Sequence, residues 1–373
     1  MAFLDDPAVA QRVLDHIRNR TTDLGDALWR EPVENYRSPA RLEREIVRVL
    51  RRCPTPFCPS AALPNAGSYL AREAAGTAIL VVRGEDGRVR AFRNACRHRG
   101  TPLADGSGCA KALVCPYHGW SYQLDGRLQH IPHASGFPGL AMDQHGLLPV
   151  PAEERLGLVF VTQDGDAQTG AAPLAAWQGL PELIRADQQL METREFEADV
   201  NWKIYLEGFI EGYHIRATHK HSFYPYGFDN LNLVETCGRH SRVTYPFRRI
   251  EKLADVPPER RSVEGLLTYV YHLFPNALVT VLSRHTNLVV LEPLAIDRTR
   301  LVSYTLAPRD DGSESAVAAK RDAAFVNETG GAEDLAIVSA IQRSLGSGAN
   351  EAYTFGHFEA AIVHFHRQLD AAL

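Results

Sequence analysis

Behind Asp6-Pro7 the apolar residues Val9, Val13 and Ile17 recur at helical spacing, which predicts an opening helix. Ser38-Pro39 starts a second helix through Leu42, Ile46, Val49 and Leu50, with arginines on its outer, solvated face. From about 53 to 165 the pattern shortens into strands and turns. An apolar run at 78–83, the turn Gly84-Glu85-Asp86-Gly87 and a return strand at 89–92 form a hairpin. Residues 122–124 and 127–129 flank Asp125-Gly126 as another, and an apolar strand at 158–161 closes the segment. A polar, Ala-rich stretch over 164–172 reads as a connector. The second half predicts a strand near 195–200 and a long helix from Asn201. Strands at 240–249, 266–274, 277–283, 286–294 and 300–307 follow, then helices between about 313 and 370. Strands in succession with helices grouped at the ends indicate an α+β fold, with an antiparallel sheet around a long helix. The expected division is a helical preface over 1–38, a small all-β domain over 39–170 and a larger α+β domain over 171–373.

The loops of the β segment carry chemistry. Cys96 and His98 lie on one, Cys115 and His118 on the next. Thiolates suit one iron of a [2Fe–2S] cluster, and neutral imidazoles replace thiolates on the other iron in the Rieske type. A structural zinc site favours a pair of cysteines together and a pair of histidines together, whereas each loop here has one of each, so the Rieske reading is preferred.

A second constellation follows Asn201. On a regular helix Glu207, Glu211 and His214 share one face. His219, five after His214, joins it at one metal only if the helix ends, unwinds or bulges near 215–218. His221 is back on the face of His214 but about 10 Å along a regular helix, so His219 is preferred as its partner. Two His and one carboxylate with open positions form the facial triad of mononuclear non-haem iron oxygenases. Glu333 and Asp334, at the start of a predicted helix, offer that carboxylate; they also read as first-turn acids against the helix dipole, and spacing does not choose.

Length and composition bound the rest. The chain has 373 residues, enough for two or three domains, with 45% hydrophobic residues and a formal net charge of −5, which makes no case for nucleic acid or an anionic membrane surface. No apolar stretch approaches a bilayer span, and Met1 to Asp6 lacks a basic leader, so a cytoplasmic location is expected. Of six cysteines, Cys53, Cys58, Cys109 and Cys237 show no disulfide framework.

These pieces resemble the Rieske non-haem iron oxygenases, specifically their catalytic α subunits. The resemblance covers roughly 36–373. It is carried by Cys96-Arg97-His98, Cys115-Pro116-Tyr117-His118-Gly119-Trp120, Asn201-Trp202-Lys203, the Glu207 to His219 stretch, and Glu333-Asp334 with Ile341-Gln342-Arg343. It implies an all-β Rieske domain over 39–170 plus a helix-grip catalytic domain over 171–373. Cys96 and Cys115 would hold the inner iron of the cluster, and His98 and His118 the outer one. His214, His219 and Asp334 would bind the mononuclear iron, with Glu333 as the alternative acid. Glu211 would bridge His214 to the outer cluster histidine, His118, of a neighbouring subunit in a homotrimer. Most of the family has Asp at that position; Glu occurs in the subgroup resembling carnitine oxygenase, which acts on quaternary ammonium compounds.

The activity so implied is dioxygen-dependent hydroxylation or oxidative dealkylation of a small organic substrate, or cis-dihydroxylation if that substrate is an arene. No dinucleotide fingerprint and no plant-type ferredoxin cysteine spacing is present, so a separate NAD(P)H-dependent reductase is the expected electron donor. The rival from another class is a Rieske electron-transfer protein without oxygenase activity of its own.

Overall fold

The computed structural model describes residues 2–164, 179–309 and 312–373. The chain forms two compact units, Met1–Val49 with Leu174–Leu373, and Leu50–Pro173. The connector expected beyond Asp164 lies outside the described residues, as does the boundary at 170–171. Residues 39–49, expected with the β segment, belong to the larger unit, and so does the preface. The reason is a buried carboxylate: Glu45 is 0% exposed and accepts from Lys203 Nζ at 2.9 Å, Trp202 Nε1 at 3.0 Å and Arg41 Nε at 3.0 Å. Such an anion must keep its partners, which ties the helix Pro39–Arg44 and the π-helical turn Glu45–Leu50 to the start of the second half.

The smaller unit is built of short antiparallel strands. Its main sheet runs, in spatial order, Pro149–Val150, Val89–Arg93, Thr77–Arg83, Ser68–Ala74 and Gly106–Cys109. The expected hairpin is present, with Arg83 opposite Val89. A small sheet of Leu113–Val114, Ser121–Tyr122 and Leu128–His130 carries the second Cys-His loop. Leu80, Val82, Phe92, Leu113, Trp120 and Tyr122 form the core between them.

The larger unit holds a seven-stranded, wholly antiparallel sheet. Its spatial order is Gln188–Ala198, Arg298–Pro308, Thr286–Ala295, Ala277–Val281, Leu267–Leu273, His240–Pro246 and Leu233–Cys237. The first strand begins earlier and runs longer than the pattern suggested, paired with Arg298–Pro308 from Gln188 opposite Pro308 to Ala198 opposite Thr299. The C-terminal helix Ala360–Ala372 packs against the sheet: Phe365, 0% exposed, meets His272 with ring centroids 5.2 Å apart and Trp202 at 5.6 Å. The opening helix, Asp6–Asn19, buries Val9, Ala10, Val13 and Leu14 against Leu233, Ile250 and Leu267. None of the described helices is long and apolar enough to cross a membrane.

The helix expected from Asn201 is short. It spans Trp202–Glu207, capped by Asn201 Oδ1 accepting from Lys203 N–H at 3.0 Å, and a separate helical turn covers Ile215–Thr218. The chain between them is irregular, and it carries the site.

Candidate metal centres

In the smaller unit the two Cys-His loops share one backbone design. The N–H of Cys96 donates to Thr101 O at 2.9 Å, and that of Gly100 to Cys96 O at 2.8 Å; on the other loop Cys115 donates to Trp120 O at 2.8 Å and Gly119 to Cys115 O at 3.0 Å. Both loops close only because the residue four after each cysteine takes a positive φ, +79° at Gly100 and +74° at Gly119. The repeated glycine was a sequence signal that the spacing of Cys and His alone left unread. Cys96 and Cys115 are each 3% exposed, His98 is half-buried and His118 exposed, so the thiols face inward and the imidazoles outward. His98 and His118 rings lie 4.8 Å apart, and His98 stacks on the buried Trp120 at 5.0 Å and 9°. Tyr122 Oη lies 3.2 Å from Cys96 Sγ and accepts the Arg97 N–H at 2.9 Å. Two buried thiols and two juxtaposed imidazoles fit a cluster with one sulfur-ligated and one nitrogen-ligated iron.

In the larger unit the break after Glu207 brings the other set together. The Glu211 carboxylate accepts from the N–H groups of Tyr213 and His214, which diverts them from helical bonding. Tyr245, from the sheet, donates to the carbonyls of Phe209 at 3.0 Å and Glu211 at 3.1 Å and fixes the irregular turn. His214 and His219 then face each other with ring centroids 5.1 Å apart. Asp334, in the first turn of the helix Gly331–Ser344, completes the group, with one donor atom from each of the three residues inside 4.8 Å of the others. Its Oδ1 is 3.0 Å from His219 Nε2 and 3.6 Å from His214 Nε2. Phe223 rests on Gly330, where a Cβ would come within 2.1 Å of the ring, so only glycine lets the acidic helix approach His219 this closely.

Glu207 is not part of this group. It points away from the metal side, accepting from Tyr36 Oη at 2.7 Å and lying 2.9 Å from His366 Nε2. His221 is exposed and joins no cluster among the described residues. Glu333 and Asp334 take different atoms of the same ring: Glu333 Oε2 lies 2.7 Å from His219 Nδ1 and accepts from Ser222 Oγ at 2.5 Å. Glu211 Oε1 does the same for His214 Nδ1. Tyr245, Ser222 and Gly330 were unread in the sequence, since each acts through a remote neighbour.

Burial pulls the pKa of both imidazoles down, yet the carboxylates beside them outweigh it and each stands above the ordinary histidine value. Anions gathered around two imidazoles favour a dication in place of the protons. Two Nε2 atoms and one carboxylate oxygen, with a carboxylate on each Nδ1, fit a mononuclear iron with open positions.

Residues 186–373 match the family described as ring hydroxylating alpha subunit (catalytic domain), and 53–145 match the Rieske [2Fe-2S] domain. The chain belongs to the ring-hydroxylating alpha subunit family. These two domains together carry a Rieske cluster and a mononuclear iron. The chain is 34% identical over 200 residues to the carnitine monooxygenase oxygenase subunit of Escherichia coli K12, which is 51% of this chain and 52% of that protein. It thus spans about half the length of that relative. It is 26% identical over 362 residues to the chloroplastic choline monooxygenase of Spinacia oleracea, covering 92% of this chain and 78% of that one. Among solved structures, a quaternary ammonium Rieske monooxygenase with an inhibitor superimposes with a TM-score of 0.80 at 21% identity, over 100% of this chain and 99% of that chain. Naphthalene 1,2-dioxygenase with indole bound gives 0.76 at 18%, over 92% of each chain. Likeness at these identities speaks for the fold alone.

Proposed function

We propose that the chain is the oxygenase component of a Rieske system, which hydroxylates or oxidatively dealkylates a small organic substrate with electrons from a separate NAD(P)H-dependent reductase. The observation that carries this reading is the juxtaposition of His214, His219 and Asp334 on the wall of a cavity of about 860 Å³. A passenger domain behind a ferredoxin-type cluster has no need of such a cavity beside a triad. The similarity to carnitine and choline monooxygenases favours monooxygenation over arene dihydroxylation.

Cys96, His98, Cys115 and His118 would hold the cluster, and His214, His219 and Asp334 the mononuclear iron. When bound, these groups supply single-electron delivery and reductive activation of dioxygen. The chain's own residues prepare the site. Glu211 and Glu333 hold the Nδ1 protons of His214 and His219 and so aim both Nε2 atoms inward. Phe209, Phe223 and Leu335 line the cavity near the triad and limit water around the reacting carbon. Conversion of C–H to C–OH consumes one dioxygen, two electrons and two protons and releases one water.

Glu211 we assign as the electron-transfer bridge from His214 to His118 of a neighbouring copy in a homotrimer. The support is its contact with His214 Nδ1, the exposure of His118, and the matching carboxylate in the resembling family. A cytoplasmic location accords with the buried, unbridged thiol of Cys58. The test is dioxygen uptake by the purified chain with a generic reductase across a substrate panel, with product formation measured alongside. Substrate-dependent uptake and three irons per chain support the oxygenase; two irons and no uptake with any substrate identify the electron-transfer protein.

A further inference from the structure

The cavity beside His214, His219 and Asp334 is not uniformly apolar. Its lining includes Arg194, Arg249, Arg284 and Arg321. Arg194 is spoken for by Glu192 at 2.8 Å. Arg249 is fixed in place: Nε donates to the carbonyl of Gly265 at 2.8 Å, Nη2 reaches Ser283 Oγ at 3.3 Å, and the guanidinium lies 4.6 Å over the Phe247 ring. The guanidinium groups of Arg284 and Arg321 have no ion pair or hydrogen bond among the described residues. Asp322, next to Arg321 on the helix Glu314–Phe325, lies 3.4 Å from His285 Nδ1, and that ring together with Arg284 and Arg249 keeps the carboxylate ionised.

The acids on the lining do not cancel this charge. Glu211 and Asp334 belong to the imidazoles of the triad, while Asp322 faces Arg284 and Arg249 as well as His285. Asp322 and Glu328 remain against three guanidiniums, Arg249, Arg284 and Arg321. Donors that outnumber their acceptors on a cavity wall are complementary to an anion brought in by the ligand, and guanidinium suits a planar carboxylate. Simple solvation of surface arginines does not account for Arg249, which is held rigidly by a backbone carbonyl and a ring face beside the other two.

We propose that the substrate is an organic acid whose carboxylate is received by Arg284 and Arg321, with Arg249 beside them, while the carbon to be oxidised lies at His214, His219 and Asp334. The assignment rests on the oxygenase reading above and names the substrate class of that same cavity. It separates the named substrates of the two similar enzymes, since carnitine bears a carboxylate and choline has none. An elongated acid fits, with an apolar or ammonium-bearing end among the aromatic side chains near Phe223.

The experiment is anaerobic titration calorimetry on the full iron-loaded chain with matched probes: carnitine against its carboxamide, and benzoate against benzamide. At least one acid is expected to bind about 10-fold or more tightly than its amide, a typical effect for one charge-assisted hydrogen bond. Arg284→Gln and Arg321→Gln, both at exposed positions, should each weaken that acid about 10-fold and leave the amide unchanged. Equal binding of acid and amide, no binding of either acid, or indifference of both variants overturns the proposal. Dioxygen uptake separates the two readings. Acid-selective binding with no uptake after a reductase is added overturns the oxygenase and leaves the acid subsite; equal uptake driven by acid and amide does the reverse.

Discussion

Glu333 Oε2 lies 2.7 Å from His219 Nδ1, on the far side of the ring from the metal position. Asp334, its neighbour in the chain, faces Nε2 of the same ring at 3.0 Å. Adjacent residues at a helix start point in different directions, and here the pair divides the labour: one acid would ligate, the other would fix the tautomer of a ligand. Asp334→Asn should therefore empty the mononuclear site, whereas Glu333→Gln should keep it with roughly 10- to 100-fold weaker iron affinity. Iron per chain and Fe(II) titration of the stripped protein measure both. The opposite ranking would transfer the ligand role to Glu333.

His214→Ala should remove the mononuclear iron and leave the visible spectrum of the cluster intact, because the cluster residues occupy the other compact unit. Substrate-coupled dioxygen uptake should fall to background. Uptake that survives the substitution would show that the site is misassigned.

The two metal sites differed in how legible they were. Each Cys-His loop is local: a cysteine, a histidine and a glycine within four residues contain both donors and the turn that presents them. His214 and His219 were legible as residues but their meeting was not. Their stretch has a helical pattern, and what breaks it is the Glu211 carboxylate capturing two N–H groups and Tyr245 taking two carbonyls from a strand 34 residues on. The same break sends Glu207 to Tyr36 and His366, partners 171 and 159 residues away. The strand Trp29–Pro32 went unread for a similar reason, since it exists only by pairing with Ala352–Phe355. Long-range partners leave no periodic trace in either segment.

The Tyr122 hydroxyl close to Cys96 Sγ stabilises electron density on that sulfur, which favours the reduced cluster. Tyr122→Phe should lower the cluster's reduction potential while keeping its absorption bands. Potentiometric titration of the two proteins is the check. An unchanged potential would mean that the hydroxyl serves only the Arg97 amide.

The buried charges around Glu45 answer to a different physics. Lys203 and Glu45 are both 0% exposed and 2.9 Å apart, and burial draws the lysine pKa down while Glu45 pulls it back up. Lys203→Met would leave Glu45 with Arg41 and the Trp202 N–H but without its nearest cation. The expected cost is about 3 kcal/mol, the lower end for breaking a buried pair, since Arg41 persists. Urea denaturation followed by tryptophan fluorescence measures it. A loss below 1 kcal/mol would show that Arg41 alone satisfies the carboxylate.

Glu359 gives the sharpest pH signature. Burial pushes its carboxyl up to about 7, and the nearby Glu211 and Glu207 add to the effect against the Gly356 N–H that it accepts. A carboxyl whose folded pKa exceeds its unfolded value stabilises the fold fully below the unfolded value. That contribution is lost as pH rises through the folded pKa. The window runs from the ordinary carboxyl value of 4.5 to about 7. Glu359→Gln removes the titrating proton while an amide oxygen can still accept from Gly356. After discounting for the side chain's partial exposure, the variant should be more stable than the parent by about 1–2 kcal/mol at pH 8. At pH 4 the two should converge, because the parent's carboxyl is then neutral as well. Melting temperatures measured at half-unit steps from pH 4 to 8 decide it: parallel curves would mean that Glu359 is solvated well enough to ionise at its ordinary pKa.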